Sequence, residues 1–294
     1  MKIAVIGCVQ FSQAMVEALA SVPGIQLAGI VTLRTSTVNA DFQSLEPIGT
    51  RLGVPILIAD GVTQNTMAAW LAERQPDVIF CVGWSSLLKP PVLKAAPQGV
   101  VGYHPTLLPA NRGRHPIIWA LALGLTETGS TFFAMDEGAD SGDILSQERI
   151  VIGPDDDAAT LYRRLTETAR GQIVRIATGL AAGRAERRPQ DHALANAWRK
   201  RGPLDGRIDW RMSAVAAHNL VRALTHPYVG AHCDWQGREC KIWRTQPAGA
   251  AAANLEPGKV LARVGRAVVV KCGDAALRLI EHDLDPLPQP GDYL

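Results

Sequence analysis

The chain has 294 residues, of which 47% are hydrophobic and 20% charged, and its formal net charge is +2. That composition excludes a disordered or fibrous chain, and the length exceeds one average domain, so a larger unit followed by a smaller one is expected. A charge this close to neutral announces no nucleic-acid or membrane-surface partner by itself.

In chain order, residues 2–6 read as a buried strand, 7–11 as a loop, and Ser12 as the cap of a helix carrying Met15, Val16 and Leu19. A dinucleotide fingerprint needs three glycines here. The chain has only Gly7, which disfavours NAD. A strand over 25–32, a helix over 42–52, a strand over 55–58, a helix over 64–74 and a strand over 78–82 follow. This alternation predicts a mostly parallel, Rossmann-like α/β sheet with helices on both faces. Residues 83–91 then form a loop at the carboxyl end of a strand, unusually apolar for an exposed turn. A strand ending at His104 is stopped by Pro105, and a glycine- and arginine-rich loop opens beyond it into a helix over 117–123. The strand 131–135 leads into the acidic loop Asp136-Glu137-Gly138-Ala139-Asp140-Ser141-Gly142-Asp143, and a long helix spans 158–182.

From 183 to 211 the sequence is polar and basic, with acids partly offsetting bases, and reads as a solvated connection. A short helix to Leu224 precedes five short strands at 231–235, 241–245, 259–263, 267–271 and 276–281. They predict a small carboxyl-terminal β-barrel of OB-like type, with 248–253 as a low-complexity loop. The domain reading is therefore 1–188, a linker over 189–206, and 207–294. Cys8, Cys81, Cys233, Cys240 and Cys272 are odd in number and widely spaced, as in a reduced cytoplasmic protein. The run from Met1 to Gly7 has no cleavage-site pattern and is too short to cross a bilayer, which fits the same location.

Alternation along a strand puts Gly102 and His104 on one face and Tyr103 on the other. An imidazole at a strand end beside Asp140 suits proton transfer near neutral pH, and equally suits a structural His–Asp bond. No paired His or Cys has metal-ligand spacing, so no metal is expected.

The motifs His104-Pro105-Thr106-Leu107-Leu108-Pro109 and Asp136 to Asp143, with Leu204-Asp205-Gly206-Arg207-Ile208-Asp209-Trp210 and His226-Pro227-Tyr228-Val229-Gly230 later, resemble the folate-dependent formyltransferases. The resemblance spans nearly the whole chain. It implies transfer of a formyl group from 10-formyltetrahydrofolate to an amine, with His104 stabilising the oxyanion and shuttling a proton and Asp140 orienting and charging it. It also implies a folate wall made by Trp84, Ser85, Ser86, Leu87 and Leu88 and by Asp136, Glu137, Gly138 and Ala139, with both loops at one sheet edge. One departure stands out: the family usually has Asn two residues before the histidine, where this chain has Gly102. The replacement oxyanion donors are a water, a backbone N–H, Ser85 or Asn111.

Gly102 and Tyr103 are assigned to the acceptor side with Arg112 and Arg114, two arginines suited to a phosphate or carboxylate. The loop Asn111-Arg112-Gly113-Arg114-His115-Pro116, with Trp119 beyond it, is closer to the amino-sugar members than to the tRNA-modifying ones. The expected partner is thus a small amine, most favourably a sugar nucleotide, with tRNA disfavoured, no membrane partner, and a homo-oligomer admitted. A 10-formyltetrahydrofolate hydrolase and a folate-binding protein without turnover are the rival readings.

Overall fold

The computed structural model describes residues 1–36 and 40–294. Its elements are β1 (Lys2–Ile6), α1 (Gln10–Ala20), β2 (Gln26–Thr32), α2 (Glu46–Leu52), β3 (Ile56–Ile58), α3 (Gln64–Arg74), β4 (Val78–Cys81), α4 (Pro90–Leu93), β5 (Val100–His104), β6 (Arg112–Gly113), α5 (Pro116–Ala122), β7 (Glu127–Ala134), β8 (Ile144–Val151), α6 (Ala158–Ala181), β9 (Ala197–Trp198), α7 (Ala214–Leu224), β10 (Ala231–Trp235), β11 (Arg238–Ala250), β12 (Val260–Val264), β13 (Ala267–Lys271) and β14 (Ala275–His282). The chain divides into two compact units. One comprises Met1–Pro116, Thr128–Ile150 and Arg163–Trp198, the other Ile117–Glu127, Val151–Tyr162 and Arg199–Leu294.

The first unit is built on a seven-stranded sheet of order β3-β2-β1-β4-β5-β7-β8. The first five strands pair in parallel, as the alternating pattern predicts. The unbroken apolar run Val78–Cys81 of the central β4 is wholly buried because both faces are covered. β7 pairs antiparallel to β5, with Val101 opposite Ala134 and His104 opposite Thr131. The edge strand β8 has no counterpart among the sequence-predicted elements. Ser146, Gln147, Glu148 and Arg149 interrupt its apolar pattern, as charged residues do on strands that end a sheet.

Order reverses between β1 and β4, the position where open α/β sheets place ligands. Here that crevice is closed by packing. Ser12 is not the cap of α1; Val9 is, and Ser12 sits in the first turn, completely buried. Its hydroxyl accepts the Val9 N–H at 3.2 Å and donates to the Val82 carbonyl at 2.6 Å, tying α1 to the end of β4. A Cβ at Gly7 would lie 2.3 Å from that carbonyl oxygen, so the approach requires glycine. The predicted helix over 42–52 begins only at Glu46, because Phe42 forms a bridge with Val9.

In the second unit, Ser213 caps α7 by accepting the Ala216 N–H at 3.1 Å. Ala217, Leu220, Val221 and Leu224 form its buried face. The five predicted strands appear as an antiparallel sheet of order β10-β11-β14-β13-β12. β11 is much longer than its apolar stretch and absorbs the start of the predicted 248–253 loop. Register shifts break its pairing with β14 on either side of Pro247. No helix among the described residues is long and apolar enough to cross a membrane.

Candidate active site

β5 carries His104 at its carboxyl end, nearly buried at 5% exposure. The ring Nε2 lies 2.8 Å from the Asn111 carbonyl oxygen. A carbonyl only accepts, so Nε2 carries a proton. On the other side, Nδ1 is 3.6 Å from Asp140 Oδ2, an ion-pair distance longer than a hydrogen bond. The imidazole therefore lies between two acceptors, one of them an anion. Asp140 Oδ2 also accepts the Gly113 N–H at 2.9 Å, which fixes the carboxylate to the arginine loop.

The route by which Asp140 arrives differs from the expected one. Because β7 is antiparallel to β5, it ends level with Val101, and the Met135 N–H donates to the Val100 carbonyl at 2.8 Å. The acidic loop thus starts at the opposite end of β5 from His104, and the two loops do not leave a common sheet edge. To reach the histidine it runs back along the strand for three residues, about 10 Å. The absent side chain of Gly102 makes room: a Cβ there would lie 2.8 Å from Met135 Cγ and 2.9 Å from Phe133 Cζ. The space that an asparagine would occupy is filled by a thioether and a ring. Loop closure comes from the Ala134 N–H donating to Asp143 O at 2.8 Å, while Asp136 Oδ1 accepts from Gly138 N and Ser141 Oγ.

Three left-handed residues that are not glycine, Asn111, His115 and Asp140, have φ of 63°, 55° and 54°. Asn and Asp tolerate this region better than most residues, and its concentration here marks loops held by their surroundings. The holding groups come from the stretch read as a solvated connection. β9 pairs with β6, the Asn111 N–H donates to Asn196 Oδ1 at 2.8 Å, and the buried Gln190 bonds both loops. Sequence reasoning missed Gln190 and Asn196, since amides in a polar stretch carry no periodic signal.

The remaining marked residues are dispersed. Tyr103 lies on the opposite face, stacked on Phe11 with centroids 4.4 Å apart and tilted against Phe132. Burial pushes its hydroxyl well above the ordinary range, and Ser130 Oγ donates to it at 3.1 Å. It is a packing residue, away from His104. Arg114 donates to the Ser85 carbonyl at 2.7 Å, bracing the Trp84 to Leu88 loop. Trp84 and Met135 each pack against a cluster that includes buried Leu88, whereas Ser86 and Leu87 are exposed, as are Asp136, Glu137, Gly138 and Ala139. Arg112 donates to Gln190 Oε1 at 2.6 Å and approaches His192 Nδ1 at 3.1 Å, while its Nε is buried without a partner. Neither partner is a carboxylate.

In the second unit, Trp119 Nε1 donates to the Arg199 carbonyl at 3.0 Å, and the Arg201 guanidinium lies 4.6 Å from the ring centroid. Hydrogen bonds from Arg199 and the Gly202 N–H hold the Asp205 carboxyl well below the usual carboxylate range. An open cavity of about 570 Å³ in this unit is lined by Arg207, Asp209, Trp210, Arg211 and Asp234 among others. Its charged side chains pair with one another, Arg207 with Asp234 and Arg211 with Asp209. Among the described residues, no group of three His, Cys, Asp or Glu side chains is placed to hold a metal ion.

A mostly parallel sheet that delivers a histidine to a loop-borne carboxylate is followed along the chain by a small antiparallel module, the two-module order of a one-carbon transferase family. The chain belongs to the formyl transferase family, whose description matches residues 1–177, with the family's C-terminal domain matching residues 202–286. Among solved structures, the fold is similar to an N-formyltransferase from Helicobacter canadensis in complex with folinic acid and dTDP-3-aminofucose. The two are 13% identical, with a TM-score of 0.72 over 96% of this chain and 99% of that one. WlaRD, a sugar 3N-formyl transferase solved in the presence of dTDP and 5-N-formyl-THF, matches at 15% identity and a TM-score of 0.71, over 98% of this chain and 99% of that one. HypX from Aquifex aeolicus in complex with tetrahydrofolic acid matches at 19% identity and a TM-score of 0.64, over 96% of this chain but 44% of that one.

Proposed function

We propose that this protein transfers the formyl group of 10-formyltetrahydrofolate to an amine carried by a sugar nucleotide. The observation that carries the reading is His104 held between the Asn111 carbonyl and the Asp140 carboxylate at the carboxyl end of β5. The names of the H. canadensis enzyme and WlaRD, with their folate and dTDP ligands, support the donor and the acceptor class.

In the reaction a bond forms between the acceptor nitrogen and the formyl carbon, and the bond from that carbon to the donor nitrogen breaks. One proton passes from the first nitrogen to the second. His104 suits this exchange because its ring, held between the Asn111 carbonyl and the Asp140 carboxylate, is placed to take a proton from one nitrogen and pass it to the other, and when protonated it attracts a developing oxyanion. The looser contact is at Nδ1, so that side of the ring is the one freed for the exchange. Trp84, Ser85, Ser86, Leu87 and Leu88 form one wall for the donor, and Asp136, Glu137, Gly138 and Ala139 the other. On the acceptor side, Arg112 supplies a cation with no acidic partner among the described residues. Asn111 replaces the side-chain donor that Gly102 lacks: its Oδ1 accepts from Asn196 Nδ2 at 3.1 Å, leaving its own NH₂ for the oxyanion.

The test is release of tetrahydrofolate from 10-formyltetrahydrofolate, followed spectroscopically without amine and then with amino-sugar nucleotides, amino acids and charged initiator tRNA. Release that requires an amino-sugar nucleotide, and is abolished in His104→Ala and Asp140→Asn, is the expected result. Unchanged turnover in either variant contradicts the assignment. Gly102 favours one second reading, hydrolysis, in which water takes the place of the amine and release needs no acceptor. Donor binding without release marks a protein that has lost turnover.

A further inference from the structure

Gln190 is buried at 6% exposure, although it belongs to a stretch whose neighbours are mostly exposed. A buried amide must satisfy both its ends, and this one does. Its Oε1 accepts from Arg112 Nη2 at 2.6 Å, and its Nε2 donates to the carbonyl oxygens of Asp140 at 2.9 Å and Gly142 at 2.6 Å. This pattern fixes which way the amide points, because turning it would set an oxygen against two carbonyls and an NH₂ against a guanidinium. Arg112 reinforces the pattern, since a cation on the oxygen polarises the amide and strengthens its N–H donors.

Both carbonyls that Gln190 holds belong to the part of the acidic loop that must reach back to His104. Asp140 is left-handed, with φ 54°, a conformation that needs support from outside. Its carboxylate then meets His104 Nδ1 at 3.6 Å and the Gly113 N–H at 2.9 Å. We propose that Gln190 is a positioning residue for formyl transfer, clamping the backbone on either side of the loop tip so that Asp140 stays against His104. The proposal rests on the His104–Asp140 reading of the site. Asn196 performs the matching task at the other ring nitrogen, by holding the Asn111 backbone whose carbonyl receives Nε2.

The experiment uses Gln190→Met, which keeps the side-chain volume and removes every hydrogen bond, and Gln190→Glu, which keeps the acceptor and replaces the donor. The Gly113 amide reports directly on where Asp140 is, so its hydrogen exchange is measured in the full chain without substrate. In both variants it is expected to accelerate about tenfold or more, while the amides of Val101 and Phe132 in the core strands keep their protection. In the donor assay, kcat is expected to fall on the order of 10- to 100-fold, with the donor KM within about twofold of the parent. Parental Gly113 exchange, parental kcat, or a loss confined to KM in Gln190→Met overturns the clamp. The exchange arm needs no substrate, so a parent protein that turns over no donor refutes the functional reading while leaving the clamp to be judged on exchange.

Discussion

His104 is defined less by its own position on β5 than by what the two loops bring to its ring. The Asn111 carbonyl fixes the proton on Nε2, and the Asp140 carboxylate faces Nδ1. The residue that differs from the family pattern, Gly102, is accounted for by packing, since Phe133 and Met135 already occupy the volume beside it. Gly102→Asn is therefore expected to destabilise the first unit by about 1–3 kcal/mol, the usual range for overpacking a filled site. It is not expected to raise turnover. Paired with Met135→Ala, which vacates one of the two obstructing side chains, the substitution should recover much of the lost stability. Thermal denaturation of the single and double variants checks this, and a Gly102→Asn protein with parental stability and higher turnover contradicts it.

At the level of elements, the parallel half of the first sheet was legible because its strands are buried on both faces and read as unbroken apolar runs. His104 and Asp140 were legible as a pair because each follows an apolar strand and precedes a glycine-bearing loop. Their connection was not, since nothing local to residues 131–135 tells whether that strand runs with or against its neighbour. β8 escaped for the reason that makes it an edge: the polar run Ser146 to Arg149 breaks its apolar pattern where no second strand demands apolar residues. Ser12 presents the same limit within a helix. A serine near a helix start reads as a cap, but Ser12 stands three residues past the cap, inside the first turn, where tertiary contact with the Val82 carbonyl buries it. The polar stretch after α6 is the largest loss. Its amides bind backbone groups far away in sequence, Gln190 some 50 residues from Asp140, and composition alone cannot distinguish such amides from solvated ones.

At the scale of a whole unit, the second one carries three histidines that couple its stability to acid. His218, His232 and His282, all in the second unit, are held below the ordinary histidine range, first by burial. His282 gives the structural reason: its Nε2 faces the Arg266 carbonyl at 2.8 Å while its Nδ1 accepts the Leu284 N–H at 3.3 Å, so a second proton has no place. A base whose folded pKa is depressed contributes stability that is present above its unfolded pKa, about 6.5, and is lost as pH falls through the folded value. The second unit is accordingly expected to lose thermal stability from about pH 6.5 downward. Calorimetry across this range checks it, and a melting temperature for this unit that holds steady or rises between neutral and mildly acidic pH contradicts it.

The proposed role of His104 and Asp140 is to move a formyl group from a reduced folate to an amine on a sugar nucleotide, and the product itself is the most direct thing to measure. The protein is incubated with isotope-labelled 10-formyltetrahydrofolate and a dTDP-amino sugar, and the nucleotide fraction is analysed by mass spectrometry and NMR. A sugar nucleotide heavier by one labelled formyl group, attached as an amide, is expected from the parent protein and should be absent with His104→Ala. Label recovered only as free formate, with the sugar amine unmodified across the panel of acceptors, would contradict the proposed transfer.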